Sequence, residues 1–96
     1  MGTKGRPRPA NLSQKLRQIR IGLKLSQAEM VRRLGFGDSF HMGRISEYEL
    51  NIREPSLLVL LAYARVARVH LEDLVDDALD LPTRLPGTVY YDQPGY

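Results

Sequence analysis

Cysteine is absent from the 96 residues, which removes disulfides and thiolate metal ligands and gives no reason to expect an oxidising compartment. Long hydrophobic runs are absent too. The longest, Leu57 to Ala64, falls well short of a bilayer's thickness, and Met1 to Arg6 lack the apolar core of a signal peptide. A cytoplasmic protein with no membrane association is expected. Catalytic groupings are equally scarce. His41 and His70 stand alone, no serine sits in a nucleophile elbow, and Glu72, Asp73, Asp76, Asp77 and Asp80 lack the spacing and glycine of a calcium loop. No active site, no metal and no cofactor are expected, and a chain this short holds one helical core rather than a deep cleft with a lid.

What is present is an uneven distribution of charge. Residues 1–53 hold 11 Lys and Arg against 4 Asp and Glu, whereas residues 54–96 hold 3 against 7, so a net charge of +3 conceals halves of +7 and −4. A basic half suits a polyanion, because neutralising phosphates releases counterions and gives affinity before any base is read.

The apolar spacing is helical through most of the chain. Leu12, Leu16, Ile19 and Leu23 form a stripe after Asn11, a residue able to cap, with Lys15, Arg17, Gln18 and Lys24 on other faces. Ser26-Gln27-Ala28-Glu29 has the pattern of a capping box, so a second helix starts near Ser26 and buries Met30, Val31 and Leu34 before the glycines of Gly35-Phe36-Gly37 end it. Asp38 or Ser39 is expected to cap a third helix, with Ile45 and Tyr48 inward and Gly43, Arg44, Ser46 and Glu47 outward. Met42 fits either face. Pro55-Ser56 opens a fourth helix with Leu57, Leu60, Leu61 and Ala64 inward, and a short fifth, His70 to about Ala78, buries Leu71 and Leu74, with Val75 a further candidate, and leaves its acids solvated.

Two ends lack this periodicity. Residues 1–10 combine glycine, proline and cations with nothing to bury, which predicts a flexible basic arm. Residues 11–80 then form the domain. Residues 81–96 form a tail in which Thr88-Val89-Tyr90-Tyr91, β-branched and aromatic, reads as a short extended segment in need of a partner.

Leu25-Ser26-Gln27, Leu34-Gly35, Ile45-Ser46-Glu47-Tyr48-Glu49, Arg53-Glu54-Pro55-Ser56-Leu57 and Val69-His70-Leu71-Glu72-Asp73-Leu74 occur in this order. Together they resemble the phage-repressor or Xre-type helix-turn-helix domain over Leu12 to about Asp77. The resemblance implies an all-α, compact five-helix fold, no enzyme activity, and double-stranded DNA as partner. It implies a structural ion pair between Arg20 and Glu49, base edges met by Met42, Gly43 and Glu47, and Arg44, Ser46, Asn51 and Arg53 close to the sugar-phosphate backbone. Gln27 would touch a phosphate or brace the third helix. Arg6 and Arg8, in a Gly-Arg-Pro setting like that of minor-groove hooks, would add contacts there or serve only as a solvated arm.

The chain departs from the family pattern in two places. Between Leu34 and Ile45 it is about four residues longer, with Phe36 and Phe40 in the extra length, and their packing against each other is favoured over contact with a thymine methyl. The fourth helix is apolar nearly all round. Leu58, Val59 and Ala62, with Val89, Tyr90 and Tyr91 of the tail, are therefore expected to build a homodimer. The sequence-based expectation is a DNA-binding transcriptional regulator, a homodimeric repressor on a palindromic operator. The alternatives are an antitoxin whose tail blocks a toxin, and a protein-interaction adaptor that kept the fold without DNA recognition.

Overall fold

Amphipathic spacing becomes five α-helices in the computed structural model, which describes residues 7–88. They are α1 (Leu12–Gly22), α2 (Gln27–Leu34), α3 (Met42–Glu49), α4 (Leu57–Ala67) and α5 (Leu71–Val75), with no strand among the described residues. Leu12, Leu16 and Ile19 of α1 lie in one core with Met30 and Leu34 of α2, Ile45 and Tyr48 of α3, the inner face of α4 and Leu74 of α5.

Local signals set the ends of α2. The Ser26 hydroxyl accepts from the Glu29 N–H at 3.0 Å, and the Glu29 carboxylate accepts from the Ser26 N–H at 2.7 Å, a closed capping box. The Ser26 N–H, and after it the Ser26 side chain, favour the ionised Glu29 carboxylate and lower its pKa. At the other end Gly35 takes φ +85°, a left-handed conformation that a side chain would strain.

The turn between α2 and α3 forms a structure of its own. Gly37–Ser39 make one 3-10 turn, and Phe36 and Phe40 stack at 5.6 Å between ring centroids, with Phe40 also 6.0 Å from Tyr48. Because Asp38 and Ser39 lie within this turn, neither caps α3. The cap is His41, whose Nδ1 accepts from the Gly43 N–H at 3.2 Å.

The inward face of α4 differs from the expected one. Ser56 caps it, its hydroxyl accepting from the Val59 N–H at 3.3 Å, but Val59, Leu60, Tyr63, Ala64 and Ala67 face the core, while Leu57 and Leu58 are 69% and 67% exposed. A helix apolar nearly all round carries no periodic cue to its buried face. Val59 is therefore core of its own chain and unavailable to a dimer surface. Tyr63 is wholly buried, and its desolvation pushes the phenol well above its ordinary pKa.

The acidic end is tied back to α1. Lys15 is only 4% exposed, not on an outer face, and its Nζ donates to the carbonyls of Asp73, Asp76 and Leu79 at 2.8, 3.0 and 2.7 Å. Three carbonyls replace the hydration of a buried ammonium where α5 ends, so the helix stops at Val75 and does not reach Ala78. Asn11 makes no side-chain cap; the Asp77 carboxylate instead accepts from the Ala10 and Asn11 N–H groups at 2.7 and 3.0 Å. Those bonds favour the carboxylate and lower the Asp77 pKa.

The beginning of the tail packs onto the domain. Leu81 and Leu85 are buried, and the Gly87 N–H donates to the Ala67 carbonyl at 2.8 Å. A Cβ on Gly87 would meet the Val66 carbonyl oxygen at 2.1 Å, so only glycine permits this approach. Val89, Tyr90 and Tyr91 lie outside the described residues.

One side-chain cluster joins three elements. Arg20 donates through Nε and Nη2 to the two carboxylate oxygens of Glu49 at 2.6 and 3.0 Å, and through Nη1 to the Leu25 carbonyl at 3.1 Å. The bond to Glu49 raises the Arg20 pKa against the opposing effect of burial. The two side chains are 15% and 5% exposed, which makes truncation of one partner costly to the other. Glu49→Ala should lower stability by about 3 kcal/mol, read as a reduced urea midpoint; an unchanged midpoint would contradict a buried pair. Lys15→Met should cost on the order of 2 kcal/mol by orphaning its carbonyl acceptors. Calorimetry checks this, and a melting temperature equal to that of the parent chain would argue against it.

Candidate nucleic-acid interface

The outer face of α3 is defined by what holds its inner face. Ile45 and Tyr48 fix one side in the core, and Arg20 fixes Glu49 at the helix end. Met42 is 56% exposed, which decides its two readings in favour of the outer face. Gly43, Arg44, Ser46 and Glu47 are half-buried on the same short helix. A Cβ on Gly43 would stand 3.0 Å from the His41 ring, so the bare backbone there lets that ring fold over the first turn as its cap.

Two arginines beside α3 are held by neighbours. The Arg44 guanidinium lies 5.5 Å from the centroid of the Phe40 ring and over its face, a cation–π arrangement. Arg53, in the loop after α3, donates through Nε to Glu47 Oε1 at 2.8 Å. Asn51 supplies the reversal between them with φ +61°. Arg8 of the arm reaches the same turn, its Nη1 lying 3.4 Å from the Asn51 carbonyl oxygen and 3.5 Å from Oδ1.

The structure thus gathers Arg8, Glu47, Asn51 and Arg53 at the C-terminal end of α3, with Met42 and Gly43 at its other end and Ser46 between. Gln27 stands apart from this group. Its Nε2 lies 3.5 Å from Glu49 Oε1, so it adds to the cluster that braces α3. Arg6 lies outside the described residues. Phe40 stacks on Phe36 as expected and also carries Arg44, whereas His41 is a support that the sequence pattern did not assign. A histidine two residues before a glycine is a weak capping cue, and Phe40 could be matched with Arg44 only once the fold brought the ring beneath it.

Leu58 stays exposed and Ala62 half-buried on α4, away from the core contacts of Val59. No described helix is long and apolar enough to cross a membrane, and no group of three histidine, aspartate or glutamate side chains among the described residues could hold a metal ion.

A family model described as helix-turn-helix matches residues 16–74, from Leu16 in α1 to Leu74 in α5. Neither the curated proteins nor the solved structures yield a match. The matched stretch is more than half of the chain and contains the whole of α2, the turn after it and α3. With its five-helix architecture, the chain belongs to the Xre-type helix-turn-helix family of DNA-binding regulators.

Proposed function

We propose that the chain is a transcriptional repressor that inserts α3 into the major groove of duplex DNA and binds its operator as a homodimer. The observation that carries the reading is the contrast between the two faces of α3. One is locked by Ile45, Tyr48 and Glu49, while the other presents Met42, Gly43 and Ser46 with Arg44 on the helix and Arg53 just beyond it. A fixed helix with a small-residue entry point can approach base edges closely, and flanking cations supply sequence-independent attraction to phosphate. Met42 and Gly43 would meet bases, with Arg44, Ser46, Asn51 and Arg53 on the backbone and Arg8 extending contact beyond α3.

Self-association is favoured by exposed apolar side chains around the start of α4. Leu50, Ile52, Leu57 and Leu58 are each 64% to 69% exposed within nine residues of sequence. Apolar surface concentrated in this way on so small a domain is well met by a second copy across a two-fold axis. Such a dimer would set its α3 helices roughly 34 Å apart and favour a palindromic site.

Duplex binding should weaken steeply with salt, and Arg44→Ala and Arg53→Ala should each lower affinity and reduce the salt slope by about 1. Fluorescence anisotropy against a genomic fragment library measures this, and a folded chain that binds no duplex at low salt would remove the proposal. Sedimentation should show a dimer at micromolar concentration and a monomer for Leu58→Glu. A parent chain that sediments as a monomer would remove the homodimer.

A further inference from the structure

Glu47 is an unusual side chain for a surface meant to face DNA, since phosphates repel it. The structure gives its carboxylate another task. Oε1 accepts from Arg53 Nε at 2.8 Å, and the Glu47 carbonyl oxygen also accepts from the N–H groups of Ile52 and Arg53 at 2.9 and 3.3 Å. Glu47 therefore holds Arg53 at both backbone and side chain.

A guanidinium has five N–H donors arranged as two edges and a terminal fork. A carboxylate at Nε does not use the terminal Nη nitrogens, which lie on the other side of the guanidinium plane's edge contact. The pair faces solvent, with side chains 52% and 38% exposed. Arg8 meets the same turn through Asn51, so a second guanidinium stands near the pair, and Glu54 lines the same space.

We propose that Glu47 is a positioning residue that fixes Arg53 by its Nε edge and presents the terminal fork to a DNA phosphate, and that it reads no base itself. This rests on the DNA-binding reading above. An oxygen already accepting from Arg53 is a poorer acceptor for cytosine N4, the base contact expected of a free glutamate in the major groove. The pair also places the negative charge behind the cation that meets the phosphate, which offsets its repulsion.

The test combines a signal read without DNA with a double-mutant cycle read with it. In the DNA-free chain, NMR should show Arg53 Nε–H protected from exchange, with protection lost in Glu47→Ala. Against a duplex library, Glu47→Ala should weaken binding about two- to fivefold with base preference unchanged. It should cause no further loss in an Arg53→Ala background. Glu47→Gln, which keeps an acceptor, should restore part of the affinity. A changed base preference, adenine favoured by Glu47→Gln above all, together with a loss that persists without Arg53, would make Glu47 a base reader and overturn the proposal. Tighter binding by Glu47→Ala in both backgrounds would overturn it as well, showing a carboxylate that only repels. If the parent chain binds no duplex, the proposed function falls; unchanged Arg53 Nε–H protection in Glu47→Ala overturns the positioning role independently.

Discussion

The bidentate contact between Arg20 and Glu49 is the constraint on which the candidate interface depends. A helix of two turns such as α3 has little stability of its own, since nucleation consumes most of what its few hydrogen bonds return. Ile45 and Tyr48 supply burial, but apolar contacts alone leave a short helix free to roll. The guanidinium grips both oxygens of Glu49 and, through its third donor, the Leu25 carbonyl ahead of α2, so α1, the entry to α2 and the end of α3 share one side chain. The rotation of α3, and with it the set of residues facing outward, is fixed by that geometry. A buried ion pair is a weak source of net stability because both ions are desolvated. Its value here is positional.

The turn between α2 and α3 is internally complete. Positive-φ glycines at positions 35 and 37 reverse the chain, one 3-10 turn takes up length, and Phe36 and Phe40 bury each other against Tyr48. These residues thus extend the core outward from α3 without displacing its inner face. The same packing gives Arg44 an aromatic surface to rest on. In this way the turn between α2 and α3 becomes part of the support for the candidate interface.

Legibility from sequence followed the range of the interactions. The capping box at Ser26, the glycine after Leu34, the Ser56 cap and the α1 stripe are local, set by residues three or four positions apart, and could be read directly. The buried face of α4 could not, because periodicity vanishes when every face is apolar. Lys15 was opaque for another reason: its acceptors are backbone carbonyls 58 to 64 residues away, which no residue type advertises. Leu81 and Leu85 likewise join the core through tertiary packing after the helical pattern has ended. Within the candidate site, the pairing of Arg20 with Glu49 entered through family resemblance, whereas the Glu47–Arg53 contact depends on the reversal at Asn51, whose left-handed conformation is a tertiary outcome.

Several of the chain's carboxylates have local structural roles. Glu29 closes the α2 cap, Glu49 is held by Arg20, Glu47 by Arg53, Asp73 accepts from the His70 N–H, and Asp77 secures the chain before α1. By contrast Arg17, Lys24, Arg33 and Arg44 form no ion pair among the described residues. All four of these cations belong to the first half of the chain, where α2 and α3 also lie. The charge asymmetry is therefore built into the fold: the negative groups do structural work at short range, and the positive groups are left to act at the distances over which a polyanion is first attracted.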